Sequence, residues 1–411
     1  MSARRPKVVI VGAGFGGLEA AKALDRGPVD VQLVDRHNYH LFQPLLYQVA
    51  TAGLEPEEIA YPVRRILARR RKVRFRLGEV RRVDLDGQRL ETTEGAIEYD
   101  YLILAGGSDN NFFGNGQLAE TSHGLKDLDQ AVTLRNQVLR CFERADELDS
   151  AEARRPLLTF VVAGGGPTGV EYAGALAELT DLLLTKDHPS LPRDEVQIVL
   201  VEGGPALLPM LPTRLQRAAL RELRRKRIDV RLGTLITGHD GSKVALNKGE
   251  PIAACTLMWA AGVRAADLSG ELGVETGRAG RVPVEPTLQL AGHPEVYVIG
   301  DMALPTGAPV PMVAPGAIQE GQLAARNILR QLQGLAPAPF HYRDKGTLAT
   351  IGRKAAVASI GPLRLSGALA WFAWLGLHLV MLIGFRNRVV VLLNWAWNYV
   401  TYDRALRLIT K

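Results

Sequence analysis

Cysteine is nearly absent from this chain. Cys141 and Cys255 are the only two in 411 residues, and they stand far apart with no C-x-x-C spacing. Such scarcity argues against a disulfide framework, a cysteine metal site and a redox-active dithiol, and we predict no metal site. It is typical of proteins in a reducing, intracellular compartment.

The chain also lacks a recognisable secretory signal. Its first residues, MSARRPK, lead at once into a strand-like run and a glycine turn, without a separate apolar core and cleavage site. We therefore expect the protein to stay on the cytoplasmic side.

Positive charge is plentiful, but aromatic residues are not interleaved with it. The net charge is +7, and arginines concentrate in residues 64–76 and 221–227. Without aromatic interleaving or a nucleic-acid motif, solvated helix faces explain these runs better than nucleic-acid binding, so we predict no nucleic-acid partner. Attraction to an anionic membrane surface is the other interpretation.

Two short glycine clusters stand out, each with the spacing G-x-G-x-x-G. In the first, Gly12, Gly14 and Gly17 follow an apolar run, and Asp35 ends the next one. In a βαβ unit the first glycine allows a tight turn, the second lets a pyrophosphate approach the backbone, and the third lets helix pack on strand. The helix N-terminus attracts the phosphates, and Asp35 would accept a hydrogen bond from a ribose hydroxyl.

The second cluster repeats this logic with Gly164, Gly166 and Gly169, and Glu202 ends the following strand. Glu202 should bond the 2′-hydroxyl of NADH and repel the phosphate of NADPH, since no arginine follows it at once. Two adenine-dinucleotide sites in one chain predict FAD as a non-covalent cofactor and NADH as a substrate, each in its own domain.

The elements around the two clusters recur in the same order. Alternating residues predict a β-meander after each glycine unit, at residues 78–108 and 227–262, and each is expected to end in a buried strand. A further strand at 293–301 would complete the first domain, so the second is inserted into it. The predicted fold class is α/β: two Rossmann-like dinucleotide-binding domains, the second inserted into the first, and a C-terminal membrane-associating helical region. We predict an FAD domain at 1–125 and 282–340, an NADH domain at 126–281, and a membrane-anchoring and dimerisation region at 341–411.

Glu171 lies in the first turn of the helix after the second glycine cluster. A solvated glutamate that favours the helix dipole is one interpretation. The other is a carboxylate facing the space between nicotinamide and flavin, where it could deliver or relay a proton. We predict the second, and we assign a structural role to Glu19, its equivalent in the first unit.

Two features near residue 300 each allow two interpretations. Asp301 ends a strand near a helix start, either as an N-cap or as a contact of the flavin ribityl chain. Residues 311–328 lead into a helix expected at about 316–333. Their small side chains allow either plain helix packing or close approach of the helix N-terminus to the flavin ring.

The C-terminal region contains an uncharged run at residues 365–385, long enough to span about 30 Å of hydrocarbon. A shorter run follows at 389–402, and together they hold four of the five tryptophans, a residue that favours membrane interfaces. The first run could be a core or dimer helix, or a spanning helix. We predict instead two helices lying in one leaflet, because Arg386 and Arg388 interrupt the apolar sequence.

Several of these stretches together resemble the type II NADH:quinone oxidoreductases, single-subunit members of the two-dinucleotide-binding-domain flavoproteins. They are VVIVGAGFGGLEAAKAL, DRHNYHLFQPLLYQVA, VVAGGGPTGVEYAGALAEL, VYVIGDMA and FHYRDKGTLATIGRKAAV. The likeness extends over nearly the whole chain. It implies a respiratory NADH dehydrogenase that passes electrons from NADH through FAD to a membrane quinone without pumping protons. It also implies a peripheral, usually homodimeric protein on the cytoplasmic face of the cell inner membrane.

The resemblance implies roles for individual residues, with Glu171 as the catalytic carboxylate near flavin and quinone. Together with the first glycine cluster it predicts FAD contacts at Gly12, Ala13, Gly14, Phe15, Gly16, Gly17, Asp35, Arg36, His40, Val80, Ala105, Asp301, Ala314 and Ala317. The predicted NADH contacts are Gly164, Gly166, Thr168, Gly169, Glu202 and Gly262.

The predicted quinone site departs from the family pattern. The family often has A-Q-x-A-x-Q at the flavin edge of the pocket, and here Pro315 stands in place of the first glutamine. This change removes a side-chain hydrogen-bond donor. We predict quinone contacts at Pro315, Gln319, Lys345 and Trp374.

Two alternatives to NADH:quinone reduction remain open from the sequence. A related flavoprotein reductase could use another electron acceptor or donor, such as sulfide, which requires reactive cysteines near the flavin. A non-enzymatic flavoprotein could instead dock to membranes in response to NADH.

Overall fold

A computed structural model describes residues 4–307, 310–401 and 407–410, with only the backbone at 398–400. The chain forms two compact units. The first comprises the described parts of Met1–His40, Tyr61–Asp109 and Val263–Asp344, and the second those of Leu41–Ala60, Asn110–Gly262 and Lys345–Lys411. The three regions predicted from the sequence were defined by the ligand or membrane that each would bind, and not by contacts within the chain. Their boundaries therefore stay a prediction.

The described strands are short and follow one another closely. In chain order they are β1 (Lys7–Val11), β2 (Asp30–Asp35), β3 (Tyr39–Leu41), β4 (Ala60–Pro62), β5 (Val73–Leu77), β6 (Val80–Asp84), β7 (Arg89–Thr92), β8 (Gly95–Glu98), β9 (Tyr101–Leu104), β10 (Ser108–Asn110), β11 (Thr159–Ala163), β12 (Gln197–Glu202), β13 (Ile228–Leu232), β14 (Ile236–His239), β15 (Lys243–Leu246), β16 (Ile252–Ala253), β17 (Thr256–Trp259), β18 (Val263–Ala265), β19 (Val282–Val284), β20 (Gln289–Leu290), β21 (His293–Val298), β22 (Ala303–Pro305), β23 (Thr347–Thr350), β24 (Ala356–Ile360) and β25 (Leu363–Ser366).

The described α-helices include four of more than fifteen residues. In chain order they are α1 (Phe15–Leu24), α2 (Leu46–Ala50), α3 (Pro56–Ile59), α4 (Val63–Ile66), α5 (Gly116–Thr121), α6 (Leu128–Asp146), α7 (Ala151–Leu158), α8 (Pro167–Lys186), α9 (Thr213–Arg225), α10 (Ala314–Leu332), α11 (Ala368–Met381) and α12 (Phe385–Thr401). Short 3-10 helices lie at Gln43–Leu45, Arg193–Glu195, Asp267–Leu272, Arg278–Gly280 and Gly300–Met302.

The first unit is built on a six-stranded sheet in the order β20-β21-β9-β1-β2-β5. The five strands from β21 to β5 are parallel, and their apolar runs are largely buried, as parallel sheets covered on both faces require. β21 pairs with β9 although nearly two hundred residues separate them, with Val296 opposite Leu102. The strand predicted at 293–301 thus completes this sheet, and the insertion predicted from the sequence is confirmed.

The second unit repeats the plan with a parallel sheet in the order β13-β12-β11-β17. The β11–α8–β12 unit matches the predicted strand, helix and strand, and α8 extends to Lys186. Each unit also carries the predicted meander as a three-stranded antiparallel sheet: β6-β7-β8 in the first and β14-β15-β16 in the second. The predicted α/β class with two Rossmann-like units is confirmed.

The C-terminal region differs from its prediction in two respects. It was expected to be helical, but an antiparallel sheet, β23-β24-β25, precedes the helices. Residues 365–385 are also not one helix, because Leu365 belongs to β25 and the chain turns at Gly384, with φ +93°, between α11 and α12. Arg386 and Arg388 therefore lie in the first turn of α12, not between the helices.

Two helices are present as predicted, α11 with 14 residues and α12 with 17 residues. Among the described residues, no helix is long and apolar enough to cross a membrane. Tyr402, at the end of the predicted second run, lies outside the described residues.

Candidate functional site: two glycine loops and a buried carboxyl

The two glycine loops have nearly the same backbone. Gly12 and Gly164 have φ angles of +101° and +103°, in the region that favours glycine. A Cβ built on Gly12 would clash with the carbonyl oxygen of Ala105, and one on Gly164 with that of Ala260. Each loop therefore turns close to the residue that follows the neighbouring strand. Ala105 thus lies next to Gly12, and its predicted FAD contact stays a prediction.

The third glycine of each loop brings the helix onto its strand. A Cβ on Gly17 would overlap the carbonyl oxygen of Gly12, and a Cβ on Gly169 that of Gly164. Only glycine allows the helix backbone to come this close to the loop carbonyl, which is the packing role expected of the third glycine.

At the middle glycine of each loop, no contact within the described part of the protein requires glycine. A Cβ on Gly14 or Gly166 would meet no described protein atom within 4 Å, so the protein itself leaves this position open. Both residues are the N-caps of their helices, and neither helix start is capped by a side chain among the described residues. Uncapped N–H groups and an open approach fit a pyrophosphate at each helix N-terminus.

The acid at the end of each second strand holds its loop in the same way. Asp35 accepts hydrogen bonds from the backbone N–H groups of Ala13 (2.6 Å) and His37 (2.7 Å). In the second unit, Glu202 accepts from the N–H groups of Gly165 (2.6 Å) and Gly204 (2.5 Å). Each carboxylate therefore sits beside the turn, as contact with a ribose requires.

His40 contacts the first glycine loop at Ala13 and Phe15. Its Nδ1 bonds the carbonyl oxygen of Ala13 at 2.8 Å, which requires the proton on Nδ1, and its ring meets Phe15 edge-on at 5.0 Å. Burial lowers the pKa of His40, so the ring is neutral. Its buried Nε2, an acceptor in this tautomer, has no hydrogen-bond partner among the described residues, which fits the predicted FAD contact.

Asp301 does not cap a helix. It lies within the 3-10 helix Gly300–Met302, whose N-cap is Ile299, and its Oδ2 accepts from the Ser108 hydroxyl at 2.5 Å. The N-cap alternative is therefore wrong, and the ribityl contact stays a prediction.

A buried carboxyl beside Asp301 escaped the sequence analysis. Glu320 of α10 accepts a hydrogen bond from the backbone N–H of Gly300, and burial raises its pKa to about 8 despite the opposing field of Arg281. Its Oε1 and the Nε of buried Arg281 have no partner among the described residues. No local motif marks this pair, because the two residues come from distant parts of the sequence.

The small residues that begin α10 serve helix packing. A Cβ on Gly321 would clash with the backbone of Gly16 in α1, and Ala317 lies close to both Gly16 and Gly300. The packing alternative is therefore observed for Ala317, whereas a flavin contact of Ala314 or Ala317 stays a prediction.

Pro315 and Gln319 have clear local roles in α10. Pro315 occupies the first turn, where its missing N–H costs nothing. The Gln319 amide donates to the carbonyl oxygens of Pro315 (2.9 Å) and Arg343 (3.0 Å) and accepts from the N–H of Arg343 (3.0 Å). Because both amide N–H groups are engaged, donation to a quinone oxygen would have to replace one of these two donated bonds.

Glu171 is buried in the second unit, so the solvated alternative is wrong. Its Oε1 accepts hydrogen bonds from the backbone N–H of Thr350 (3.3 Å) and the indole N–H of Trp374 (3.2 Å). Burial raises the pKa of Glu171 to about 8, and these two hydrogen bonds oppose the rise only in part. Glu171 is therefore protonated at neutral pH.

Gly174, one turn further along α8, explains how Thr350 reaches Glu171. A Cβ there would clash with the backbone of Ile351, so this glycine lets the segment after β23 lie directly on α8. The sequence analysis missed both Gly174 and Thr350. The A-G-A-L-A run of small residues in α8 was the one signal of close packing.

The remaining predicted contacts lie as follows. Arg36 is exposed, and its Nη1 lies 4.0 Å from Oε1 of Glu79. Val80 is the first residue of β6. Thr168 is exposed in the first turn of α8, and the Gly262 carbonyl accepts from the N–H of Asn111 at 3.0 Å. Lys345 is exposed.

Within the described ranges, no group of three or more His, Cys, Asp and Glu side chains is placed to hold a metal ion.

Comparison with known protein families gives two matches along the chain. Residues 6–321 match the pyridine nucleotide-disulphide oxidoreductase family, and residues 345–401 match the NDH2 C-terminal domain. The second match covers the sheet and both helices of the C-terminal region.

Individual relatives match over nearly the full length. The chain is 42% identical to two proteins of Mycobacterium tuberculosis, the type II NADH:quinone oxidoreductases Ndh and NdhA, covering 99% of this chain and 91% and 90% of theirs. The fold is similar to that of NDH2 from Plasmodium falciparum in complex with NADH. The TM-score is 0.91, with 20% identity and coverage of 99% of this chain and 100% of the other.

Proposed function

Because the chain belongs to the type II NADH:quinone oxidoreductase family, we propose that it oxidises NADH through FAD and reduces a membrane quinone by two electrons without pumping protons. One observation supports this most strongly. Two loops of the same backbone geometry each suit a dinucleotide, and the helix after the second loop carries a buried, protonated carboxyl, Glu171.

The first loop would hold FAD. Bound FAD would supply the redox chemistry, namely hydride acceptance from NADH and electron transfer to quinone. The N–H groups at the start of α1 would bind its pyrophosphate, Asp35 a ribose hydroxyl, and Asp301 the ribityl chain. His40 would offer its Nε2 as an acceptor, and the other predicted contacts, Arg36, Val80 and Ala314 among them, complete the proposed set.

The second loop would bind NADH, a substrate that arrives and leaves. The N–H groups at the start of α8 and the exposed hydroxyl of Thr168 suit its pyrophosphate. Glu202 would accept from the 2′-hydroxyl, and its negative charge would disfavour NADPH.

Glu171 would supply a proton when the quinone is reduced. Its Oε1 already accepts two N–H hydrogen bonds, so the acidic proton resides on Oε2. A group with a pKa of about 8 is protonated at neutral pH and weakly enough acidic to be reloaded from water, which suits a general acid. We propose quinone contacts at Trp374, Pro315, Gln319 and Lys345.

The sulfide alternative lacks a suitable nucleophile. Burial raises the pKa of the Cys141 thiol to about 11, and burial also raises the pKa of Cys255. Neither is therefore a thiolate at neutral pH, as attack on sulfur substrates requires.

The proposal is tested by steady-state turnover of the purified full-length protein with NADH and a short-chain quinone. We expect the flavin absorbance to bleach with NADH and the quinone to be reduced continuously, with NADPH a much poorer donor. Bleaching without quinone turnover would contradict the quinone assignment and leave a reductase with another electron acceptor or the non-enzymatic alternative.

We also propose that α11 and α12 attach the protein to the cytoplasmic face of the inner membrane. Large apolar side chains project into solvent along one side of each helix: Leu369, Phe372, Leu377 and Val380 in α11, and Phe385, Leu392, Leu393 and Trp397 in α12. Phe372 and Val380 are 63% and 67% exposed, which is unfavourable in water and favourable at a lipid interface.

Replacing Phe372 and Val380 with Gln should weaken sedimentation with phosphatidylcholine vesicles at least about tenfold, because two apolar contacts with lipid are lost. The matched control replaces Met210 and Leu235 with Gln, since these residues of the same unit are also about half exposed. Equal losses in both variants would contradict attachment through α11. We further propose a homodimer, which light scattering of the detergent-solubilised protein can test.

A further inference from the structure

Phe113 occupies an unusual backbone position in the second unit. It has φ +53°, and Gly114 after it has φ +79°, so two successive residues are left-handed. The N–H of Asn115 bonds the carbonyl oxygen of Phe112 at 3.0 Å and closes a tight turn around them. Positive φ at both central residues is the pattern of a type I′ turn, where Asn, Asp and Gly are the usual residues.

The exposure of Phe113 is a second departure from what local structure favours. The residue is 68% exposed, although a large aromatic side chain gains free energy when it leaves water. A small polar residue would suit both the left-handed backbone and the solvent. Positions that break local rules in this way are typical of functional sites.

Hydrogen bonds within the second unit hold the turn on both sides. The indole N–H of Trp259 donates to the carbonyl oxygen of Asn111 at 2.8 Å, and the side-chain oxygen of Asn111 accepts from the N–H of Phe113 at 2.9 Å. After the turn, the side-chain oxygen of Asn115 accepts from the N–H of Leu118 at 3.1 Å and caps α5. The Phe113 ring is therefore carried by a fixed backbone, which lowers the entropy lost when a ligand binds to it.

A short series of contacts connects this turn to the second glycine loop. A Cβ built on Gly164 would clash with the carbonyl oxygen of Ala260, and one built on Gly262 would lie 2.7 Å from Cζ of Phe113. Residues 260–262 directly follow β17, and the Gly262 carbonyl accepts from the N–H of Asn111. The Phe113 ring thus lies on the segment that contacts the loop.

The order of the strands places this segment on the nicotinamide side of the proposed NADH site. In the sheet β13-β12-β11-β17 the glycine loop follows β11, Glu202 ends β12 on one side, and residues 260–262 follow β17 on the other. A dinucleotide with its pyrophosphate at the start of α8 lies across the carboxyl ends of these strands. With the adenosine ribose at Glu202, the other half of NADH extends toward β17.

We propose that Phe113 packs against the nicotinamide half of NADH and is a further substrate-binding residue of the second unit. The inference rests on the NADH site proposed above. The nicotinamide ring is flat, so contact with an aromatic ring buries apolar surface of both and adds a favourable interaction between the rings. This contact accounts for an aromatic side chain at an exposed turn position that favours Asn or Gly.

The test compares NADH with ADP-ribose, which has the adenosine, the pyrophosphate and the second ribose but no nicotinamide. In rapid mixing, the dependence of the flavin-reduction rate on NADH concentration measures NADH binding, and inhibition of that rate by ADP-ribose measures ADP-ribose binding. In Phe113→Asn the NADH concentration that gives half the maximal rate should rise about tenfold. ADP-ribose binding should change by less than about twofold.

Phe113→Asn removes the ring and leaves the fold intact, because Asn-Gly is a preferred sequence for a type I′ turn. The variant should keep its FAD and be at least as stable to heat as the wild type. Phe113→Tyr keeps a ring and should bind NADH within about twofold of the wild type. Leu363→Asn is the matched control, since Leu363 is also exposed (56%) in the second unit, and it should change the binding of neither ligand.

The outcomes separate this inference from the proposed function. Equal weakening of NADH and ADP-ribose in Phe113→Asn would assign the ring to the adenosine half or to support of the loop, and would overturn the proposal. Unchanged NADH binding in Phe113→Asn, or an equal loss in Leu363→Asn, would overturn it as well. Failure of ADP-ribose to compete with NADH in the wild-type protein would contradict the proposed NADH site itself, and the inference with it.

Discussion

Glu19 and Glu171 occupy equivalent positions on α1 and α8, two residues past the third glycine of their loops, and their surroundings are opposite. Glu19 is partly exposed and pairs with Lys22 at 2.8 Å, one turn along the same helix. Glu171 is buried, bonded to groups from the C-terminal region, and has its pKa raised to about 8. The two loops thus share one backbone geometry, while the glutamates behind them lie in different environments.

The two units share the geometry of the glycine loop and differ in the elements that contact the helix after it. Gly12 and Gly164 meet the same kind of steric constraint, and Asp35 and Glu202 hold the loops by the same pair of backbone bonds. The difference lies in what contacts the helix. In the first unit α10 packs against α1, and in the second the turn after β23 lies on α8 and Trp374 of α11 bonds Glu171. Tertiary packing, not the motif, decides which glutamate is buried.

The largest effect should come from breaking each loop separately. Gly12→Ala and Gly164→Ala each place a Cβ against a carbonyl oxygen at a φ near +100°, which strains the backbone by roughly 1–3 kcal/mol in addition to the clash. We expect Gly12→Ala to be purified without FAD. Gly164→Ala should retain FAD but require at least about 100-fold more NADH for bleaching.

The flavin spectrum of the purified variants and an anaerobic NADH titration measure both outcomes. Loss of FAD from Gly164→Ala, or its full retention in Gly12→Ala, would contradict the assignment of one dinucleotide to each loop.

A smaller effect should follow from neutralising the acid of the second loop. Glu202→Gln keeps an acceptor for the N–H of Gly165 and removes the charge that repels a 2′-phosphate. The ratio of kcat/KM for NADPH to that for NADH should rise about tenfold. Asp35→Asn is the matched control, and an equal rise there would show that the change of selectivity is not specific to the second loop.

The smallest effect concerns the hydrogen bond to Glu171. A protonated Glu171 can donate at low pH and loses this ability as the pH rises through about 8, so quinone turnover should fall above that pH. The Trp374 N–H favours the charged carboxylate, so Trp374→Phe should raise the pKa of Glu171. The fall in turnover should then move to higher pH by about half a unit to one unit.

Trp395→Phe provides the control for this substitution, because it removes an indole donor that bonds Gln48 instead. A pH profile that is unchanged in Trp374→Phe, or shifted equally in both variants, would rule out the bond as the cause.

The sequence predicts the parts of the site that local spacing encodes. The glycine turns, the acids that end β2 and β12, and the strand β21 that completes the first sheet were all predicted from short segments of sequence. The turns and the acids depend on residues whose roles follow from backbone geometry within one βαβ unit, and β21 is marked by its own apolar strand pattern.

Long-range contacts account for what the sequence analysis missed. Thr350 and Trp374 lie 179 and 203 residues from Glu171, so no spacing rule connects them. Glu320 and Arg281 are likewise too far apart in the sequence for a spacing rule to connect them. The sheet β23-β24-β25 had a weak local signal, a Gly-Pro turn between two alternating stretches, which the apolar run after it outweighed.

The central claim is that the second glycine unit acquired proton chemistry at Glu171, and the two half-reactions of Glu171→Gln test it most directly. Rapid mixing with NADH follows flavin reduction, and mixing of the reduced protein with a short-chain quinone follows its reoxidation. We predict that Glu171→Gln keeps the first rate within about twofold and slows the second at least about 100-fold, while Glu19→Gln changes neither. Reoxidation of Glu171→Gln at the wild-type rate, or equal slowing in Glu19→Gln, would contradict the claim.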